Sequence, residues 1–223
     1  AYLAAVDAAG ERGAEAIDRD LELEAWRPVL EREAPLFVHA NDPRQITSAL
    51  EFADEQDLRI VIVGGRDADH VADALAAADV PVILETVMRR PARDFETPWT
   101  GYRRAARLHE AGVRVAISVG SGSWLDTINR NLPFHAGMAR AHGLADDAAL
   151  ASVTIAPARI LGVDASMGSL EVGKRAHLIA TTGDVLDIRS RVERMWIDGR
   201  AVDLSDRHKR LFERYRKRPT ASE

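Results

Sequence analysis

The sequence predicts an α/β fold, a layer of parallel strands and helices followed by a small β module, and three observations predict it. Four short apolar runs, Leu36–Ala40, Ile60–Val63, Val80–Leu84 and Val113–Val119, alternate with segments whose apolar residues recur at helical spacing. The runs are continuous rather than alternating, the pattern of parallel strands covered by helices on both faces. After the fourth unit the pattern changes to two strands, Ala176–Thr181 and Val192–Ile197, with Asp198-Gly199 as a hairpin signal. Four strand–helix units fit either half of a barrel or an open sheet.

The opening segment, Ala1–Glu33, reads as helix, with Leu21, Ala25, Trp26, Val29 and Leu30 as its stripe and Pro28 as a kink. Asn41-Asp42-Pro43 is a helix start, and Ile46, Ala49, Leu50 and Ala53 continue it. The second run stops at Gly64-Gly65 and leads into the stripe Val71, Leu75, Ala78. The third is followed by a longer loop rich in Arg and Pro. The helix Tyr102–Ala111 ends on Gly112, a favoured residue just past a helix end. Beyond the fourth run, Leu132–Gly143 and Asp147–Leu161 read as two helices. Leu204–Arg218 closes the chain as a basic helix, and its stripe of Leu211, Phe212 and Tyr215 predicts packing against an acidic body in preference to nucleic acid.

Composition bounds the function. The 223 residues are 46% hydrophobic and 29% charged, enough for a core under a solvated surface. No apolar run approaches the ~18 residues of a membrane span. The absence of Cys excludes disulfides, Cys-based zinc sites and a thiol nucleophile, and a net charge of -5 argues against nucleic acid as a partner. The first residue is Ala and no signal segment precedes it, so the chain is expected to begin within a longer protein or after processing. The compartment is not readable.

Ligands of a parallel α/β layer bind beyond the carboxyl ends of its strands. That directs attention to His39, Gly64-Gly65-Arg66-Asp67, Glu85-Thr86 and Gly120-Ser121-Gly122-Ser123. A His at a strand end is a metal ligand or general base, or else a core His bonded to a carbonyl. His70, near the start of the following helix, is close enough to reach the same mouth. His109, His142 and His208 read as helix-surface residues, and His135 could face either way. The Gly-rich strand ends, Gly64, Gly65, Gly120 and Ser121, could cradle a phosphate or simply form tight turns. Gly168–Lys174 has P-loop spacing, but Arg175 stands where a hydroxyl is needed and a strand follows, so a nucleotide site is rejected.

Three segments carry a family resemblance. Ala151–Val163 resembles the helix and "T-x-N-P-A-x-x-L-G" segment of amidohydrolases, Gly168–Ile179 their "G-S-L-E-x-G-K-x-A-D-L-V" strand, and Val192–Arg200 their final "V-x-x-V-x-I-x-G" hairpin. Order and spacing agree, and the imidazolonepropionase-like members are the most similar. The resemblance implies a (β/α)8 TIM barrel with a small composite β-sandwich, of which this chain is the C-terminal half, strands five to eight. It implies hydrolysis of non-peptide carbon–nitrogen bonds, cyclic amides above all, by water activated on a divalent metal, zinc first among candidates. Family ligands follow strands one, four, five and six, and an Asp ends strand eight. His39 matches the fifth-strand ligand. Gly64-Gly65 stands where the sixth-strand His is expected, and Gly120-Ser121-Gly122-Ser123 where the Asp is. Asp126 and His70 could substitute only if their loops fold back over the mouth. His177, where the family has Asp, reads as a structural change.

The expected organisation is a helical lead-in at 1–33, the half barrel at 34–162, sandwich strands at 163–203 and the basic helix at 204–223. Three functions are compatible with it: a hydrolase fragment with an incomplete site, a degenerate non-catalytic barrel used as a scaffold or tandem half, and a phosphate-ligand-binding barrel. The expected partners are the missing N-terminal half and a small-molecule substrate, with no membrane and no nucleic acid; a homo-oligomer is compatible with all three. The isolated chain is expected to be inactive.

Overall fold

A computed structural model describes residues 2–13, 20–120 and 127–216. The opening segment is not one helix. It divides into α1 (Tyr2–Gly13), α2 (Leu21–Glu24) and α3 (Arg27–Leu30). Asp20 restarts the chain at α2 by accepting the N–H groups of Glu22 and Leu23, a side-chain cap that competes with a continuous helix. Leu21, Trp26 and Leu30 remain exposed, so the predicted stripe is not a core stripe here.

The predicted strands form, with bounds shifted by a residue or two: β1 (Leu36–Ala40), β2 (Ile60–Gly64), β3 (Val82–Glu85) and β4 (Val115–Ser118). They make one parallel sheet in the order β1-β2-β3-β4. Between them run α4 (Pro43–Glu55), a short turn of helix at Ala68–Val71 leading into α5 (Ala72–Ala77), and α6 (Thr100–Glu110). The start of α4 obeys its sequence signal: Asp42 accepts from Arg44 and Gln45, and the Gln45 side chain accepts from Asp42, closing a capping box.

After β4 come α7 (Leu132–Ala141), α8 (Asp146–Ala151) and α9 (Ile155–Ile160). The single helix expected over 147–161 is therefore broken at Ser152–Thr154, where Pro157 removes a backbone donor that a continuous helix would need. Helices cover one face of the sheet. Ile46, Leu75, Leu108 and Ala139 from four of them meet Ile62, Val82, Leu84 and Ile117 in the main core. The expectation of cover on both faces is corrected for the described residues: on the opposite face Val61 and Ala116, with part of Ile83, pack against Ile160 of α9, and His39 stays exposed. Phe37 on that face is 39% exposed.

The β module holds β5 (Leu178–Thr181), β6 (Val192–Ile197) and β7 (Arg200–Ala201) as an antiparallel sheet. Asp198 and Gly199 turn it with φ of 50° and 75°, as a two-residue hairpin of right-twisted strands requires. His177 accepts the Asp198 N–H at this turn, and Arg175 grips the Asp198 carboxylate with two bonds, so both are structural. Lys174 bonds Ser169 and Glu171 within its own loop, and the strand β5 follows. The last helix, α10 (Arg207–Arg216), buries none of its side chains fully: Leu211 is half-buried, Phe212 is 64% exposed, and Arg214 and Arg216 lie over the rings of Tyr215 and Phe212, so the expected stripe is not a core face.

Candidate functional site

Side chains alternate across a strand, so the residues between the core positions share the other face of the sheet. These are Phe37 and His39 on β1, Val61 and Val63 on β2, Ile83 and Glu85 on β3, and Ala116 and Ser118 on β4. The strand register places His39, Val63, Ile83 and Ala116 in one layer. Glu85 pairs with Ser118 in the next layer toward the carboxyl ends. Two chemically capable groups, an imidazole and a carboxylate, therefore stand on one open face near the mouth.

His39 is exposed, and among the described residues its ring has no hydrogen-bond partner. It is not a core His tied to a carbonyl. His70 is also exposed, at the turn after β2, with its backbone N–H given to Asp67. Among the described residues no three His, Cys, Asp or Glu groups converge as a metal site. Among the described residues His39 is thus an unpartnered imidazole at the carboxyl end of β1, outside any complete donor set. Asp126, Ser121, Gly122 and Ser123 lie outside the described residues.

The glycines have local explanations. Gly64, at φ 101°, would place a Cβ 2.8 Å from Asn41 Oδ1, and Gly65, at φ 61°, would place one 2.8 Å from Val82 Cγ1. A His side chain has no room at either. The Gly65 N–H is spent on the Ala40 carbonyl and the Gly120 N–H on Ser118 Oγ, which removes two donors from a phosphate cradle.

What sequence reasoning did not assemble is the charge network behind the mouth. Asp67, just past β2, has a side chain 1% exposed and accepts from Arg93 at 2.7 and 3.2 Å. Arg66 and Arg104 approach it at 3.5 and 3.8 Å, while Arg104 and Arg107 hold Asp69 at 2.9 Å. Burial pushes the Asp67 carboxyl up, but the Arg93 hydrogen bond and charge, joined by Arg66 and Arg104, outweigh it and hold the group below the usual carboxylate range. Arg93 also takes Glu96, where burial is again outweighed, by the Ala92 N–H and by Arg93. The network ties the Arg- and Pro-rich loop after β3 to the end of β2. The signal was present as Gly-Gly-Arg-Asp followed by an Arg-rich loop, but the pairing depends on folding.

Two other histidines find different surroundings from those expected. His142 is half-buried, stacks on Trp99 with Tyr102 beside it, and contacts the Met138 carbonyl at 2.9 Å. His135 faces inward and is buried, with Nδ1 lacking a partner, and burial lowers its pKa. A cavity of about 320 Å³ opens between Arg59, Pro81, Arg114 and Ile160. It lies at the amino ends of the strands, away from His39 and Glu85. Among the described residues no helix is long and apolar enough to cross a membrane.

Comparison with known proteins agrees with this architecture. Residues 91–202 match the amidohydrolase family. An N-acetylgalactosamine-6-phosphate deacetylase of Escherichia coli O157:H7 is 28% identical over 166 residues, 73% of this chain and 41% of that protein. A shorter protein of Escherichia coli K12, provisionally given the same name, is 28% identical over 166 residues, 73% of this chain and 92% of its own length. The crystal structure of an amidohydrolase from Thermotoga maritima MSB8 superposes with a TM-score of 0.78 and 28% identity, covering 91% of this chain and 52% of that one. The chain thus spans about half the length of the solved amidohydrolase. Together with the three motifs at its end and the parallel sheet before them, these likenesses show that the chain belongs to the amidohydrolase family.

Proposed function

We propose that this chain is the carboxyl-terminal half of a hydrolase that cuts non-peptide carbon–nitrogen bonds, with strands five to eight of the barrel in β1 to β4. The observation that carries the reading is His39: an exposed imidazole at the carboxyl end of the first strand, without a partner among the described residues, on the face of the sheet that helices cover least. A nitrogen donor so placed suits a divalent metal, zinc before others, and His39 is the residue of this chain that would hold it. When bound, such a metal supplies hydroxide near neutral pH. The remaining donors would come from the preceding half of the barrel, which would also cover Phe37, Val63 and Ile83. The substrate class named for the E. coli relatives, an N-acetyl amino-sugar phosphate, is the first to try.

A second reading, a non-catalytic barrel, is favoured by one feature. The sixth-strand position holds Gly64-Gly65, and the nearest carboxylate, Asp67, is fully engaged by arginines. A complete protein that binds no metal and cleaves no amide would establish this alternative. Acetate release from N-acetylgalactosamine 6-phosphate by the complete zinc-loaded protein, lost in His39→Ala, is the result the hydrolase reading expects.

A further inference from the structure

We propose that Glu85 is the catalytic carboxylate that carries the proton in this hydrolysis; the inference rests on the hydrolase reading above. The resemblance assigns that work to an Asp at the end of the eighth strand. Here the strand end leads to Gly120, at φ 93°, whose N–H is given to Ser118 Oγ. Gly120 itself brings no side chain to that point. Glu85 lies on the adjacent strand, in register with Ser118, on the same face as His39 and one layer nearer the mouth.

Its carboxylate is half-buried and, among the described residues, takes part in no hydrogen bond or ion pair. The neighbouring acids differ: Asp67, Asp69 and Glu96 are each held by arginine. A carboxylate locked to a guanidinium has its lone pairs spent on that partner, whereas an unpartnered one keeps them open to a water or to a substrate N–H. The backbone that follows fixes its place. Thr86 adopts φ 53°, rare for a β-branched residue. Its N–H donates to the Ser118 carbonyl at 2.9 Å and its hydroxyl to the Val119 carbonyl at 3.0 Å, stapling the ends of β3 and β4 together. Strained backbone of this kind gathers at functional sites.

The proton balance is simple. A water on the open face gives a proton to Glu85 as its oxygen bonds the carbonyl carbon of the amide. The C–N bond then breaks with its electron pair going to nitrogen, and the proton on Glu85 passes to that nitrogen. One water is consumed, one carboxylic acid and one amine leave, and Glu85 returns to its starting charge.

The test uses the complete zinc-loaded protein with Glu85→Gln and Glu85→Asp. Two readouts are taken: hydrolysis of N-acetylgalactosamine 6-phosphate against pH, and calorimetric binding of acetohydroxamic acid in buffers of different ionisation enthalpy. The hydroxamic acid loses a proton on binding, so the buffer comparison shows where that proton goes without any turnover. Glu85→Gln should keep its zinc, lose kcat by ~10²-fold or more with little change in KM, and lose the acidic limb of the pH profile. It should release about one more proton to buffer than the wild type on hydroxamate binding, and Glu85→Asp should recover part of both signals. Unchanged kcat and proton release in Glu85→Gln overturn this inference alone. If the wild type binds zinc and hydroxamate yet leaves the sugar intact, the proton count decides. A wild type that binds neither overturns the hydrolase reading and this inference with it.

Discussion

Single residues carry the balance between a working and a rebuilt site. Asp67 is the clearest case, a buried acid whose pairs with Arg93 and Arg104 latch the end of β2 to the loop after β3 and to α6. Because its folded pKa is lowered, the latch contributes fully above the ordinary carboxylate range and is lost as pH falls through the lowered value. Asp67→Asn should cost about 2–3 kcal/mol in urea unfolding near neutral pH, below the ~3–5 of a fully buried pair because Arg93 is 36% exposed. A loss under about 0.5 kcal/mol would show that the loop after β3 is held by other contacts. His135 acts with the opposite chemistry and the same direction. Buried neutral with its pKa lowered, it takes up a proton in the unfolded chain before it does in the fold, so stability falls as pH drops below 6.5. His135→Leu should flatten the fall in Tm between about pH 7.5 and about pH 5.5, and an unchanged slope would place that dependence elsewhere. Gly120→Asp puts a carboxylate at the end of β4, where the backbone does not favour one. At φ 93° the new side chain is strained by roughly 1–3 kcal/mol, and thermal melts should show the loss with no gain in hydrolysis.

At the scale of elements, local rules were legible wherever sequence-near residues decide the structure. The capping box at Asp42 and Gln45, the Asp198-Gly199 turn and four parallel strands all follow from neighbours along the chain. Asp42→Ala should lower stability by about 1 kcal/mol, read by chemical denaturation, and no change would mean that the box is redundant with packing. Elements that depend on distant partners were not legible. The opening stripe of Leu21, Trp26 and Leu30 and the closing residue Phe212 looked like parts of core faces yet stay exposed, because periodicity records amphipathicity and not burial. Pro157 signals that the helix over 147–161 must break, but not what holds the break at Ser152–Thr154. The Ser152 carbonyl leaves the helix to accept the Ile117 N–H from the outer edge of β4 at 2.9 Å, a long-range bond that no local pattern announces. In the candidate site, His39 was visible as a strand-end His, whereas the Asp67 network required three separate loops and helices to converge.

The whole molecule has two incompletely covered sheets. The parallel sheet shows Phe37 and His39 to solvent, and the β module exposes Leu178, Ile179, Val192 and Ile197. β1 and β4 are edge strands of an apolar sheet, and such edges recruit other chains. Residues 1–223 alone should therefore associate with rising concentration in sedimentation velocity. A monodisperse 24.5 kDa species across the concentration range would contradict the half-barrel account. On the proposed reading, completing the barrel would bring further donors to His39 on this same face. Metal stoichiometry of the complete protein, measured by elemental analysis with and without His39→Ala, tests this most directly. The account predicts a stoichiometric divalent metal in the wild type and its loss in the variant. A wild type without metal, or a variant that keeps its metal, would contradict it.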